Sequence, residues 1–469
     1  MSEQAVETKK RNRVDFTTGT PWTKLIVFAL PLMLSSLLQQ MYNTVAKVIV
    51  GRGVSYVGLA AVGLAAPYLR VLTSLFMGLS MGGNVMMAQY YGAKDRDGIR
   101  RTLHTSIVVF VTAGLAMSAL GVAITPMILT LTGTPDEVYP MALVYMRILF
   151  SGIAFQMVYN MLAGLMRGTG DSRTQMYALG VTSIVNGSLC WIFVIYFQWG
   201  VAGAGLATVI SQFLSVVFMY VRLQQNELTR LAIADLKLTV SYAKELFRIG
   251  LPTAIQQVAM SLAGPIVMGY ITSYGTETIA GYSVGTTIDM YVAMPVSALN
   301  MTASPYTAQN VGAGKMDRVD KGAKQMVMIN SAINLVVAIL VLAFMRPLLG
   351  MFTDNAGTIA AGMVMLRIMV PTHIMTAINQ PLSGVIRGSG NTFQPMVNAL
   401  MMVIGIRIPL IILMNQIYNS VEVVYYSHVI ATVIGLIHIL YIYRKGKWRE
   451  RTIAKIAAAF PDGPPETVS

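Results

Sequence analysis

Charge is what this chain lacks most. Only 12% of its 469 residues are Asp, Glu, Lys or Arg, about half of the ~25% found in soluble domains. A water-solvated globular surface is not built from so little. Cysteine is nearly absent: Cys190 is the single one, which excludes an intramolecular disulfide. The four histidines, His104, His373, His428 and His438, are too dispersed along the chain for a metal site. No phosphate-cradling loop with its preceding strand and Lys-Ser/Thr pair is present, which argues against ATP drive.

In place of charge the chain has hydrocarbon. Hydrophobic residues make up 55% of it, and twelve apolar runs recur between positions 24 and 443. Each has the ~20 residues a helix needs to cross a bilayer. Barrel strands would alternate over only about ten residues, so the fold class is an all-α polytopic membrane protein of twelve transmembrane helices. The net charge of +14 does not point to nucleic acid, because 27 of the 34 Lys and Arg fall in alternate inter-span segments. By the positive-inside rule those segments and both termini face the cytoplasm, which implies an inner (plasma) membrane. The run after Pro21 continues as the first span with no small-residue cleavage site, so no signal peptide is expected.

The spans come in two sets. Arg167-Gly168-Thr169-Gly170 returns 220 residues later as Arg387-Gly388-Ser389-Gly390. The same offset relates Ala88-Gln89 to Ala308-Gln309, Gly92-Ala93 to Gly312-Ala313, Arg147 to Arg367 and Gly164 to Gly384. An offset of 221 relates Leu30-Pro31 to Leu251-Pro252. This internal repeat has six spans per copy, and an even number implies two lobes related by a pseudo-two-fold axis along the membrane normal. The expected parts are a disordered cytoplasmic N-terminus (1–20), an N-lobe (21–222), a cytoplasmic linker (223–244), a C-lobe (245–444) and a cytoplasmic tail (445–469). Within the tail, Trp448 to Phe460 is basic and amphipathic, suited to the inner leaflet. The turns at 91–96 and 310–315, like the two Arg-Gly-x-Gly turns, are read as tight reversals in which glycine supplies a positive φ.

Several stretches resemble the multidrug and toxic compound extrusion (MATE) family, especially its DinF-like branch. In the first copy they are Tyr42-Asn43-Thr44-Val45, Val50-Gly51-Arg52, Leu59-Ala60-Ala61-Val62-Gly63, Gly78-Leu79-Ser80-Met81-Gly82-Gly83, Gln89-Tyr90-Tyr91-Gly92-Ala93-Lys94-Asp95 and Trp199-Gly200-Val201-Ala202-Gly203-Ala204. The second copy adds Gln309-Asn310-Val311-Gly312-Ala313-Gly314-Lys315 and Arg387-Gly388-Ser389-Gly390. Their order and spacing cover essentially all of residues 20–445. The resemblance implies a cation-coupled antiporter that exports organic compounds, with Na⁺ or H⁺ as the coupling ion, by rocking its lobes between inward- and outward-open forms. It also marks a departure. Where family members carry an aspartate in the first span this chain has Ala46, followed by Lys47, and where they carry one in the fifth it has Cys190. Asn186 and Thr208 are retained. The N-lobe cation site has thus lost both carboxylates, and neutral oxygens alone offset an ion's desolvation poorly.

Of the 20 acidic residues, only Asp289 lies well inside a span. An ionisable group there costs about 2.5–3.5 kcal/mol on insertion scales, so it needs a partner. Asp289 is therefore the coupling candidate, set against the alternative of an aspartate locked in a structural ion pair. Its repeat mate is position 69, next to Arg70, so an ion pair between Asp289 and Arg70 that forms and breaks as the lobes rock is one expectation. Arg147, Arg367 and Arg407 are read as bracing or snorkelling residues. The cleft and N-lobe polar candidates are Asn43, Arg70, Asn186, Thr208, Gln256, Asn379 and Gln380; no metal site is expected. The 34 methionines are apolar filler whose flexibility also suits a promiscuous binding wall.

The reading is a transporter without cofactor, working on small organic, drug-like or cationic compounds as a monomer in the bilayer. A lipid-linked oligosaccharide flippase of the same superfamily is the nearest alternative, but such flippases carry a cleft richer in Arg and Lys. An uncoupled transporter that has lost its N-lobe site is a second. Catalysis would need clustered acid, base, nucleophile or metal ligands, and a single deep carboxylate does not supply them.

Overall fold

Hydrocarbon offers no hydrogen-bond partner, so an apolar run inside it satisfies its own backbone by closing into a helix. The computed structural model describes residues 13–231 and 236–450, and their regular structure is helical throughout. The side chains of Tyr42, Asn43, Ala46, Lys47, Arg52 and Tyr56 lie outside that description. The first copy comprises α1 (Pro21–Gly53), α2 (Tyr56–Gly92), α3 (Arg96–Leu131), α4 (Tyr139–Ser151), α5 (Ile153–Gly168), α6 (Arg173–Trp191) with a π-helical turn at Ile192–Tyr196, and α7 (Gly200–Gln224). The second comprises α8 (Val240–Ile271), α9 (Thr276–Gly312), α10 (Met316–Ala343), a short α11 (Met345–Gly350), α12 (Ala356–Met369) and α13 (Thr372–Gly388). It ends with α14 (Phe393–Leu400), which runs through a π-helical turn at Met401–Arg407 into α15 (Ile408–Tyr418), and with α16 (Val421–Lys445).

Among the described residues, nine helical spans are long and apolar enough to cross a membrane. The pairs α4–α5 and α12–α13 qualify as single spans bent by 43° and 45°. The remaining expected span, α9, has 37 residues and is not among them; Thr286, Thr287 and Asp289 lie in its first half. Side-chain caps start several helices: Ser55 Oγ accepts from Gly58 N, Asp95 Oδ1 from Gly98 N, and Asn355 Oδ1 from Thr358 N. Each satisfies one of the amides that a helix start leaves open.

The repeat is visible in three dimensions within each copy. Helices α2 and α9 are both 37 residues long and begin 220 residues apart. A Cβ added to Gly168 would come within 2.8 Å of the Asn84 carbonyl, and one added to Gly388 within 2.4 Å of the Ser304 carbonyl. Asn84 and Ser304 are themselves repeat mates, so the same backbone approach, α2 on α5 and α9 on α13, occurs twice. The turns that follow reverse at Gly170 (φ 82°) and Gly390 (φ 88°), as expected of the Arg-Gly-x-Gly motif. At the other repeated turn the expectation needs correcting. Gly92 ends its helix, and the left-handed residue is Lys94 (φ 57°), the mate of Gly314 (φ 71°).

The chain divides into two compact units, one containing Leu30–Ala254 and the other running on from Ile255 and including Asp15–Ala29. That last segment corrects the expectation of a disordered stretch to residue 20. Phe16 is fully buried between Phe28 and Tyr306, with ring centroids 5.0 and 5.4 Å away. The backbone around it is held as firmly: Arg318 donates to the carbonyls of Phe16, Thr18 and Gly19, Lys315 to that of Thr17, and Asn310 to that of Phe16. The tail folds back in the same unit, where Trp448 is buried against Tyr443 and Arg449 pairs with Asp320. Residues 447–450 are helical as expected, but Trp448 turns into the protein and not toward a leaflet, and the rest of the expected leaflet-lying stretch, beyond residue 450, lies outside the described residues.

Phe→Ala at a buried site costs about 3–5 kcal/mol. Phe16→Ala is expected to speed hydrogen–deuterium exchange of residues 14–20 by at least about a hundredfold. Unchanged exchange there would show that Phe16 is not what anchors the segment.

Candidate functional site

Asp289 sits 13 residues into α9, about 20 Å along the helix axis from its start. Its hydrogen-bond partner is an imidazole that the sequence reading did not name. Oδ1 of Asp289 lies 2.6 Å from Nε2 of His373, and the two side chains are 21% and 12% exposed. Arg70, on α2, is exposed. His373 reaches Asp289 because it is the second residue of α13, just past the 45° bend that Pro371 accompanies. Proline has no amide to continue the helix ladder, which is a standard cause of such a bend. Arg407 and Tyr282 lie within electrostatic range of Asp289, and His428 within range of both Arg407 and His373. Arg407 is presented by the π-helical turn at 401–407, and its Nε has no partner among the described residues. Inserted turns of this kind recur at functional sites.

Four spans of the second copy thus bring one carboxylate, two imidazoles, a guanidinium and a phenol together. The histidines that look dispersed in sequence converge here by folding, since His373 and His428 come from different spans. The signal that would have found His373 was available. A deep acid needs a partner, and the ionisable residues inside spans of its own copy are few enough to list. Even so, no group of three or more His, Cys, Asp or Glu among the described residues is placed to hold a metal.

The remaining candidates fall into separate places. Asn379 is buried in a second polar network, where its Oδ1 accepts from Ser383 Oγ (3.2 Å) and Asn398 Nδ2 (3.4 Å), and Asn398 Oδ1 meets His438 Nδ1 at 3.0 Å. Such bonds tie α13, α14 and α16 together, so Asn379 acts between helices. Gln380, beside it, is half-buried. Gln256 on α8 is buried with Oε1 unpartnered among the described residues. In the first copy, Asn186 is buried with Nδ2 likewise unpartnered, while Thr208 Oγ1 donates to Ala204 O of its own helix at 3.0 Å. Cys190 is 1% exposed and packs with Val50, Val194, Ala204 and Ala207. Where the resemblance implies a carboxylate, the fold has an apolar cluster. Asn43 and Ala46 lie on α1, with side chains outside the described set.

The MatE family model matches this sequence twice, over residues 31–192 and 252–413. The chain belongs to the MATE family. The two matches begin 221 residues apart, so each copy is one domain of that family. As a MATE protein it is a membrane-embedded transporter and not an enzyme. It is 27% identical to "Probable multidrug resistance protein YoeA" of Bacillus subtilis, over 97% of this chain and 99% of that protein. To "Probable multidrug resistance protein NorM" of Thermotoga maritima it is 25% identical, over 92% and 94%. A MATE crystal structure in a "bent conformation" superposes with a TM-score of 0.87 at 21% identity, covering 94% of this chain and 99% of that one. Another, described as outward-facing and of the MOP superfamily, gives 0.85 at 21%.

The apolar packing of Cys190 makes a sharp expectation for this MATE chain. Cys190→Asp places an unpaired charge in that cluster and should destabilise by roughly 3–5 kcal/mol, whereas Cys190→Ser should cost about 1–3 kcal/mol. Thermal unfolding in detergent measures both, and equal midpoints would mean that the cluster admits water.

Proposed function

We propose that this MATE protein is a secondary-active exporter of small organic compounds, coupled to a monovalent cation gradient through its second copy. The observation that carries the reading is Asp289 itself. It is a carboxylate deep in α9, held by an imidazole rather than by a permanent cation. A structural ion pair would favour Arg, whose charge is fixed; a histidine partner can change charge near physiological pH. The names of the relatives, multidrug resistance and multidrug export proteins, support organic compounds as the substrate class. Flexible methionine side chains, of which the sequence has 34, suit substrates that differ in shape.

The other parts of this reading follow from the sequence. The protein is placed in the inner membrane as a monomer with both termini cytoplasmic, as a DinF-like member of the family. Its working parts are an N-lobe (21–222) and a C-lobe (245–444) joined by a cytoplasmic linker. The first copy, without its two carboxylates, serves substrate binding and movement.

Asp289→Asn keeps the shape and removes the charge. In proteoliposomes it should abolish gradient-driven ethidium export while leaving ethidium affinity within about threefold, because only the coupled step is lost. Export at the unmodified rate would overturn the assignment.

A further inference from the structure

We propose that the C-terminal end of α16 is a seat for an anionic phospholipid, whose phosphate is held by Arg444, Lys445 and Lys447 and whose acyl chains lie along the outer face of the helix. The site does not depend on what the protein exports. With both termini cytoplasmic, as read above, the lipid belongs to the cytoplasmic leaflet; binding itself is testable without that orientation.

The first observation is the face of the helix. Tyr426, Ile430, Ile434, Ile437 and Tyr441 are exposed, and so is Lys445. They follow one another at steps of three or four residues, which places them on one side of α16, while Ala431, Gly435 and Ile439 are buried on the other. An apolar stripe closed by a tyrosine at each end is the pattern of a lipid-facing helix. Lys445, one turn beyond Tyr441, then stands at the level of the headgroups.

The second is that the basic end is held in shape. Helix α16 stops at Gly446 (φ 70°), and the chain folds back. Trp448 stacks on Tyr443 with ring centroids 5.5 Å apart and donates from Nε1 to the Tyr443 carbonyl at 3.2 Å. Arg449 pairs with Asp320 of α10, to which Tyr443 also donates, at 3.4 Å. This clasp occupies Arg449 and leaves Arg444, Lys445 and Lys447 exposed, with no carboxylate paired to them among the described residues. The exposed acids nearest in the chain, Glu450 and Asp317, are outnumbered by these three cations together with the exposed Lys321 and Lys324 of α10.

The third is convergence. Nζ of Lys445 lies 2.9 Å from the Tyr441 hydroxyl and 5.2 Å from the ring centroid, and Lys447 is within electrostatic range of the same phenol. An ammonium has three donors, so with one on the phenol Lys445 keeps two for phosphate oxygens. The repeat supplies the contrast. At an offset of 220 the mates of Arg444, Lys445 and Lys447 are Gln224, Gln225 and Glu227, so the cluster was built in the second copy only. A zwitterionic headgroup brings its own ammonium, which these cations repel; an anionic one brings none.

The test is native mass spectrometry of the full-length protein in detergent with an equimolar mixture of phosphatidylglycerol and phosphatidylcholine. For the first lipid bound, phosphatidylglycerol should be favoured at least about tenfold. Lys445→Gln with Lys447→Gln should lower that ratio at least about fivefold, with an unchanged thermal midpoint because both side chains are exposed. Lys445→Arg with Lys447→Arg keeps the charges and should keep the ratio, as should Arg222→Gln at the equivalent end of α7. No preference in the unmodified protein, or the same ratio after the two Gln changes, overturns the site, and so does an equal fall in Arg222→Gln. Displacement of phosphatidylglycerol by about 1 mM inorganic phosphate would overturn the lipid and assign the cluster to free phosphate.

Discussion

A polar group inside hydrocarbon has to find its partner within the protein, because the solvent supplies none. In this MATE chain that constraint decides most of what is observed in the spans. Serines and threonines bond back to their own helix, as Thr208 does. Asparagines bridge between helices, as Asn379 and Asn398 do. The one deep carboxylate recruits a histidine from a bent span. Breaking such a buried pair by removing one member leaves a bare charge and is costly, even though forming it contributes little net stability. Its contribution to the fold is therefore small beside what the loss of one member would cost.

The same constraint explains what was legible from sequence. Apolar runs mark helices because no other structure satisfies the backbone, and the 220-residue offset survives because glycine is required wherever two backbones meet, as at Gly168 and Gly388. Asp289 stood out for want of any other acid at depth. Its partner did not, since His373 lies 84 positions away in sequence and nothing local to either residue announces the other. The docking of Phe16 was hidden for a similar reason. A polar, basic N-terminus reads as solvated, and only the fold shows that Tyr306, Asn310 and Arg318 form its receptacle. The repeat mates of the last two are Tyr90 and Gly98, so the receptacle belongs to the second copy by sequence as well.

Loss and gain are distributed unequally between the copies. The first has Cys190 in an apolar cluster and keeps Asn186 and Thr208 without an acid. The second has an acid, two imidazoles and a guanidinium in neighbouring spans. A duplicated scaffold allows this, because each domain packs around its own helix contacts and tolerates different chemistry at equivalent depth.

The two bent spans make that point in another way. The 43° bend falls at Gly152, where a Cβ would collide with Val209 at 2.5 Å, and the 45° bend falls beside Pro371. Glycine yields to a neighbour's bulk, whereas proline withholds an amide. The two copies reach nearly the same angle by different causes, so what the repeat shares here is a shape and not a residue. A residue-by-residue comparison of the two copies at the hinge would miss this likeness, which lies in the geometry of the broken helix.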